Sequence, residues 1–358
     1  MKKKQILIIA PSINVKGGIS TVVKGHLGSE LSNKYQIFRV SSHKDGNKLI
    51  KLLTAVKGAV RIIFYLLSKH IDIVHIHGSD PLSSLRKYFL FRIVEQFNCK
   101  TIYHFHGASF LESYVSKPPF FQHKINYLFR NVDRVICLSN TWEKQIAELI
   151  PGTARTVVIQ NTVSLPERRT EKDHQEKKEV YILFLGLIGD RKGIFDLLKV
   201  MVKLKKAGHR LKLYVGGNGD VNKLEQTIDS LNIRDMVAYK GWVTGKDKET
   251  LYLNSDLYVL PSYGEGMPMS ILEAMSYGLP VISTDVGGIP DLIEDDKTGF
   301  LIEPGDLHGM FNKIEILIKD RKLRSRMGMN ARKKIEKEYN FDANISKLDA
   351  LYQTLIAD

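Results

Sequence analysis

The chain has 358 residues, 43% of them hydrophobic and 26% charged. This is an ordinary soluble composition with room for two cores of about 100–200 residues each. Its net charge of +14 lies wholly in residues 1–165, which hold 23 lysines and arginines against nine acidic residues; residues 166–358 hold 30 of each sign. Such asymmetry turns one half towards an anionic partner: a phosphate-rich substrate, anionic lipid or nucleic acid.

The N-terminus, Lys2-Lys3-Lys4 before Ile6–Ala10, superficially resembles a signal peptide. Its apolar core is too short, and Pro11 and a Gly17-Gly18 turn follow at once, so it reads as a buried first strand. Further strand-like runs are Tyr35–Val40, Ile71–His75, Thr101–Phe105, Arg134–Leu138 and Thr156–Ile159, each separated from the next by enough chain for a crossover helix. Leu49 to Ser68 is apolar but interrupted by Lys51, Lys57 and Arg61, which excludes a membrane span. A core-packing helix is its favoured reading, ahead of membrane contact. Leu165–Glu179 has ten charged residues and no apolar period, as an exposed linker would. The rhythm restarts at Tyr181–Leu185 and continues through Lys212–Val215, Val237–Tyr239, Leu257–Leu260 and Val281–Ser283. Phe341–Ile356 is expected as an amphipathic helix with Ile345, Leu348, Leu351, Tyr352 and Leu355 on one face. Alternation of this kind specifies an α/β chain with two doubly wound parallel sheets. The expected boundaries are 1–165, a linker at 166–179, a second domain at 180–340, and a helix at 341–358 returning to the first domain. Cys99 and Cys137 stand apart in apolar stretches, which suits a reducing compartment and gives no zinc pattern.

In open α/β sheets ligands sit at the carboxyl ends of the strands, so the loops there are the place to look for chemistry. The first such loop of the second half is Gly186-Leu187-Ile188-Gly189-Asp190-Arg191-Lys192-Gly193, leading into a helix near Ile194. Amide donors, a helix N-terminus and two cations suit a diphosphate, although a plain turn with solvated charges fits as well. Gly216, Gly217 and Gly219 permit close backbone approach or simply shape a loop. After Leu260-Pro261-Ser262 comes Tyr263-Gly264-Glu265-Gly266-Met267-Pro268-Met269-Ser270, then a helix over Ile271–Tyr277. Glu265 lies in the loop and Glu273 in the first turns of the helix. A carboxylate in a run as apolar as Met269–Met275 is costly without a partner, and a ribose diol would supply one. Asp285–Pro290, with Gly287-Gly288 and Pro290 at a helix start, reads as architecture.

Glu265–Glu273 resembles the E-x7-E signature of the retaining glycosyltransferases of family 4, which have the GT-B fold: two Rossmann-like domains facing across a cleft. The resemblance extends over most of the chain through Asp72-Ile73-Val74-His75-Ile76-His77, Val158-Ile159-Gln160-Asn161, Arg191-Lys192-Gly193 and Gly278–Ile282 with Gly287-Gly288. It implies that Glu273 holds the donor ribose and Glu265 lies against the donor sugar. Lys192, aided by Arg191, would neutralise the diphosphate, and the amides of Gly266, Met267, Pro268 and Met269 up to Ser270 would line its pocket. Trp242 and Val243 would lie near the base. The family often has an arginine directly after the glycine that ends the first strand of the donor half. Here that position is Leu187, with Arg191 as the stand-in.

In the first half, Asn14–Thr21 carries Gly17 and Gly18, which in the family reach towards donor phosphate and acceptor; on physical grounds alone they could form a turn before a helix. His75 and His77 end a strand and read as structural. His104-Phe105-His106-Gly107 ends another, and His106 matches the histidine that lines the sugar pocket in the resemblance, a core or capping histidine being the alternative. No carboxylate or second ligand is spaced for a metal at His106. Aromatics and cations alternate through Phe110–Tyr114, Lys117–Lys124 and Tyr127–Arg130, as at a membrane interface or a lipid-linked acceptor.

The resulting expectation is a retaining hexosyltransferase taking a UDP- or GDP-linked sugar to a hydroxyl, with His106, Glu265 and Lys192 at the chemistry and no metal or cofactor. The acceptor would be a glycan or lipid-linked glycan of a surface polysaccharide (exopolysaccharide, capsule or O-antigen). The chain would be cytoplasmic, or peripheral on an anionic inner membrane face. A nucleotide-sugar epimerase shares the architecture. A dinucleotide oxidoreductase would need G-x-G-x-x-G after the first strand, which Pro11–Gly18 lacks. A nucleic-acid-binding protein would explain the basic half but not Glu265 and Glu273, and nucleic acid is not expected as a partner.

Overall fold

The structure is a computed structural model that describes residues 3–44, 46–107, 110–166 and 179–358. Most of the expected linker, 167–178, lies outside the described residues. The chain divides into two compact units, Met1–Thr162 with Phe341–Asp358, and Val163–Asn340.

Each unit is built on six parallel strands joined by helical crossovers. The first sheet contains β1 (Gln5–Pro11), β2 (Gln36–His43), β3 (Ile73–Gly78), β4 (Lys100–Phe105), β5 (Arg134–Cys137) and β6 (Thr156–Val158), in the order β2-β1-β3-β4-β5-β6. The second contains β7 (Val180–Leu185), β8 (Leu211–Gly216), β9 (Val237–Tyr239), β10 (Leu257–Leu260), β11 (Val281–Thr284) and β12 (Gly299–Ile302), in the order β12-β11-β10-β7-β8-β9. Strands covered on both faces read as continuous apolar runs, and β1 and β10 are of this kind. Two expectations shift. Strand β3 starts at Ile73 and runs to Gly78, because His75 and His77, which look like polar punctuation, are fully buried within it. Strand β12 was not foreseen: four residues at the sheet edge follow a turn at Asp296 rather than a long apolar run.

One face of the first sheet packs Leu7, Ile9, Val74, Ile76 and Phe105 against the helices Lys48–Ser68, Pro81–Val94 and Pro119–Asn131, which lie side by side. The other face packs Ile6, Ile8, Ile73 and Ile102 against the helices Gly18–Gly28 and Phe341–Ala357. The last helix inserts Ile345, Leu348, Leu351, Tyr352 and Leu355 into that core. At about 1.5–3 kcal/mol for each buried side chain this burial rivals the net stability of a whole domain, about 5–15 kcal/mol. The helix is therefore integral to the first unit. Its Asp349 also accepts hydrogen bonds from Tyr35 at 2.7 Å and Lys34 at 2.8 Å.

The helix Lys48–Ser68 corrects the simple core-packing expectation. It is N-capped by Asn47, whose side chain accepts from the Ile50 amide at 2.9 Å. Ile62 and Leu66 enter the core, but Leu53, Val56, Val60, Phe64 and Leu67 lie on the surface, 49% to 74% exposed. Conversely, of the aromatics between Phe110 and Arg130, Phe110, Tyr114, Phe121 and Phe129 are core residues, and Phe120 is the one left outside.

In the second unit the loop after β7 crosses close over the end of β10. Gly193 has φ +68, and a Cβ there would lie 1.9 Å from the Pro261 carbonyl oxygen. Gly208 also has positive φ, +81, but nothing within 4 Å of a Cβ. Gly208→Ala should cost about 1–3 kcal/mol in backbone strain, and Gly193→Ala a further 1–3 kcal/mol or so of overpacking. Urea unfolding measures both, and equal losses would show that the two loops do not pack as described.

Candidate active site

The second sheet is laid outward from β7 through β8 and β9, then resumes on the other side of β7 with β10, β11 and β12. Neighbouring loops at the carboxyl ends of β7 and β10 thus leave in opposite directions and open the crevice where doubly wound sheets take ligands. The Arg191-Lys192-Gly193 turn comes from one of these loops and Glu265 from the other.

The two meet. The Lys192 ammonium pairs with Glu265 Oε1, and the Ser262 hydroxyl donates to the same oxygen at 2.7 Å. Arg191 donates to the Gly264 carbonyl at 2.7 Å, with its guanidinium 4.0 Å from Glu265 Oε2. The Tyr263 amide donates to the Arg191 carbonyl at 2.8 Å, tying the loops together through the backbone. The Lys192 and Glu265 side chains are 14% and 5% exposed, whereas that of Arg191 is 39% exposed. Burial pulls the Lys192 pKa below its usual value, Glu265 opposes that shift, and Arg191 reinforces it.

Glu273 lies on the helix Met269–Ser276, which opens directly after the Glu265 loop. It has partners within the chain, as in the alternative reading of a capping or salt-bridged carboxylate: Lys248 donates to Oε1 at 2.6 Å and Tyr252 to Oε2 at 2.8 Å. Tyr258 of β10 is buried beneath this centre; its hydroxyl donates to the Leu185 carbonyl at 2.9 Å, and burial pushes its pKa up. Lys248, Tyr252, Tyr258 and Ser262 were missed from the sequence. Only Ser262, three positions before Glu265, offered a signal.

Around this centre the remaining loops interlock. The Gly288 amide donates to the Gly266 carbonyl at 2.8 Å, and Met267 and Pro268 are buried. The amides of Met269 and Ser270, the first two of the helix, have no intrahelical acceptors, whereas those of Ile271 and Leu272 donate to the Pro268 carbonyl. The Ile188 amide donates to the Asn218 carbonyl at 2.7 Å and Gly217 to the Gly241 carbonyl at 2.8 Å, binding the loops after β7, β8 and β9. A Cβ on Gly216 would lie 3.1 Å from Val243, which places Val243 beside the β8 glycines. Leu187 is 46% exposed and supplies no charge.

In the first unit, Gly17 is extended and flanks the N-terminus of the helix Gly18–Gly28, with open space where its Cβ would be. Local packing does not demand glycine there. Period-two spacing puts His75 and His77 of β3 on one sheet face. In-register pairing of His77 with His104 puts His104 and His106 of the β4 segment beside them. His26 of the helix Gly18–Gly28 covers the group. All five imidazoles are buried. His77 Nδ1 and His106 Nε2 are 2.9 Å apart, His75 Nε2 and His104 Nδ1 3.2 Å, and His75 Nδ1 meets the Tyr352 hydroxyl at 2.6 Å. His26 and His104 were overlooked, although the i, i+2 spacing of both pairs was visible in the sequence. Ring nitrogens of His75, His77 and His104 lie within 4.8 Å of one another, a closeness that spacing arguments had not foreseen. Their rings stack within 7° to 28° of parallel, and two of those nitrogens already share a hydrogen bond. Ligands around one ion aim their ring planes at a common centre, so this is a hydrogen-bonded stack rather than a ligand set.

Residues 21–166 match the family described as Glycosyltransferase Family 4, and residues 167–334 the one described as Glycosyl transferases group 1. The chain is 33% identical to sulfoquinovosyl transferase SQD2 of Arabidopsis thaliana over 51% of its own length, and spans 35% of that protein. It is 27% identical to the UDP-Gal:alpha-D-GlcNAc-diphosphoundecaprenol alpha-1,3-galactosyltransferase of Escherichia coli, over 86% of this chain and 82% of that one. The solved sucrose-phosphate synthase of Thermosynechococcus elongatus superposes with a TM-score of 0.86 over 99% of this chain and 100% of that one, at 19% identity.

The stacked imidazoles make the first unit acid-sensitive. Burial pushes His26 down to about 4 and His106 to about 3, and His75, His77 and His104 well below the usual range. Above pH 6.5 or so, folded and unfolded chains both hold these rings neutral, so they add no pH dependence. Below it the unfolded chain takes up protons that the folded unit cannot, and stability falls by up to about 1.4 kcal/mol per pH unit for each ring. Denaturant titrations from pH 7.5 to 4.5 should show this loss setting in near pH 6.5. A flat profile down to pH 5 would show that the rings are not sealed from water.

Proposed function

The chain belongs to the family 4 glycosyltransferases of GT-B fold, and from that premise we propose that it moves a hexosyl unit from a nucleotide diphosphate sugar to a hydroxyl with retention at the anomeric carbon. One observation carries this reading: Lys192, Arg191 and Glu265 converge at the switch point of the second sheet, with Glu273 on the helix that follows. A largely buried ammonium with a partly exposed guanidinium beside it, near a helix start, suits a leaving diphosphate, because fixed charge in a partly dry site stabilises the negative charge that develops there. Lys192 and Arg191 take that part without a metal. Met269 and Ser270 offer amides, and Gly266, Met267 and Pro268 shape the wall. Glu265 faces the sugar, and Glu273, already oriented by Tyr252 and Lys248, accepts from the ribose hydroxyls. Val243 flanks the base. In the first unit, Gly17 and Gly18 give bare backbone to a phosphate, and His106 meets the sugar. No protein nucleophile is required: the leaving phosphate takes the acceptor's proton on the face it departs from. The named relatives transfer sugars, which favours transfer over epimerisation.

The acceptor in this reading is a lipid-linked glycan of a surface polysaccharide, met at an anionic membrane. The outer stripe of the helix Lys48–Ser68 supports it: Leu53, Val56, Val60, Phe64 and Leu67 form one apolar face flanked by exposed Lys57 and Arg61. In the same layer Lys124 sits over the exposed rings of Phe89 and Phe120, at 5.2 Å and 5.8 Å. Apolar area with a basic rim is the pattern of interfacial binding. No helix among the described residues is long and apolar enough to cross a membrane. The Escherichia coli relative's named acceptor is likewise a sugar on diphosphoundecaprenol.

UDP or GDP should raise the melting temperature, because a ligand of the folded state stabilises it by mass action. Glu273→Ala should abolish that shift with the fold intact, and Lys192→Ala should lower kcat by about 10²–10³-fold. A shift of unchanged size in Glu273→Ala protein would remove Glu273 from the nucleotide site. Separately, the protein should sediment with phosphatidylglycerol vesicles, and a Val60→Ser, Phe64→Ser double variant should stay in the supernatant. Equal sedimentation of both would take the stripe out of the membrane contact.

A further inference from the structure

His106 is held by two hydrogen bonds, one of its backbone and one of its ring. Its amide donates to the Gly78 carbonyl at 2.8 Å, extending the β3–β4 ladder one residue and fixing where the side chain departs. From there Nε2 meets His77 Nδ1 at 2.9 Å, with ring centroids 5.2 Å apart. The other nitrogen of His106, Nδ1, makes no hydrogen bond among the described residues. The other nitrogen of His77, Nε2, is sealed in without a partner.

A neutral imidazole carries one N–H, so the 2.9 Å contact has two possible senses. If His106 donates, the proton of His77 must sit on Nε2, a buried donor with no acceptor. If His77 donates, its Nε2 is a bare lone pair facing a stack of rings. Unpaired buried N–H groups are the rarer and costlier defect, so the second sense is preferred. It forces the proton of His106 onto Nδ1. Protonating the pair would remove the conflict, but that requires a charge among five buried imidazoles with no carboxylate hydrogen-bonded to any of them among the described residues.

We propose that His77 is a positioning residue: it donates from Nδ1 to His106 Nε2 and so locks His106 in the tautomer whose Nδ1–H is presented, uncharged, to an oxygen of the substrate sugar. This rests on the reading above that His106 meets the sugar. It makes His106 a neutral donor rather than a general base, since its one lone pair is already taken by His77.

The test is nitrogen-detected NMR on the full chain with 15N-labelled histidine, the His106 signals being identified by their loss in His106→Gln. In wild-type protein, His106 should carry its proton on Nδ1 with Nε2 unprotonated. His77→Phe should convert His106 to a tautomer mixture and lower kcat about tenfold, as expected for one hydrogen bond of about 1.4 kcal/mol, with the donor KM nearly unchanged. His77→Asn, whose amide can donate from the position of Nδ1, should restore both. Wild-type His106 protonated on Nε2 would overturn the assignment, and so would a His77→Asn protein no better than His77→Phe. The wild-type tautomer is read with no sugar nucleotide present. It therefore stands or falls apart from the nucleotide-sugar reading, whose own test is the melting shift.

Discussion

A largely buried ammonium facing a buried carboxylate, at the point where two crossovers part, is the interaction on which the proposed chemistry of the second unit depends. Such pairs yield little net stability, because desolvating both ions costs about what their attraction returns. Lys192 and Glu265 therefore call for a reason other than folding. The surroundings show what it takes to keep them in register. The Gly193 backbone passes too close to the Pro261 carbonyl for any side chain, Ser262 completes the hydrogen bonding of Glu265, and Arg191 is anchored on Gly264. In the proposed reading, an anionic ligand meets cations that the chain itself already anchors.

The first unit solves a different problem with different means. Where the second gathers charge, the first gathers imidazoles and strips them of it. Both groups stand at carboxyl strand ends, because parallel sheets deliver side chains there whatever their chemistry. The outer layer of the same unit carries apolar side chains in the open, and its three helices hold nine basic and no acidic residues, more than half of the net charge. Charge asymmetry in the sequence is thus explained by the surface of one unit.

How much could be read in advance followed physical locality. Strands with continuous apolar runs, such as β1 and β10, were legible because burial on both faces leaves them almost wholly apolar. The Glu265–Glu273 spacing was legible because loop and helix are consecutive. Lys248 was not: it reaches Glu273 from a separate helix 25 positions away, and no local pattern marks it. The histidines fell between these cases. Each pair was visible at i, i+2, but their union needed the β3–β4 register, which only the folded sheet provides. The helix Lys48–Ser68 packs on the core as expected, but its exposed stripe was not marked, because its composition is apolar on two sides and periodicity alone does not say which side the sheet will cover.

The return of residues 341–358 to the first unit bears on the order of events during synthesis. Chains emerge N-terminus first, and domains usually fold as they appear. Here β1 through β6 leave the ribosome without the helix that seals one face of their sheet, and the whole of the second unit is made before it arrives. Until then Ile73, Ile102 and Ile136 face water, and His75 lacks its tyrosine. A chaperone binding nascent chains would find its longest-lived apolar target on that face, and a ribosome stalled before residue 341 would release a first unit that cannot close.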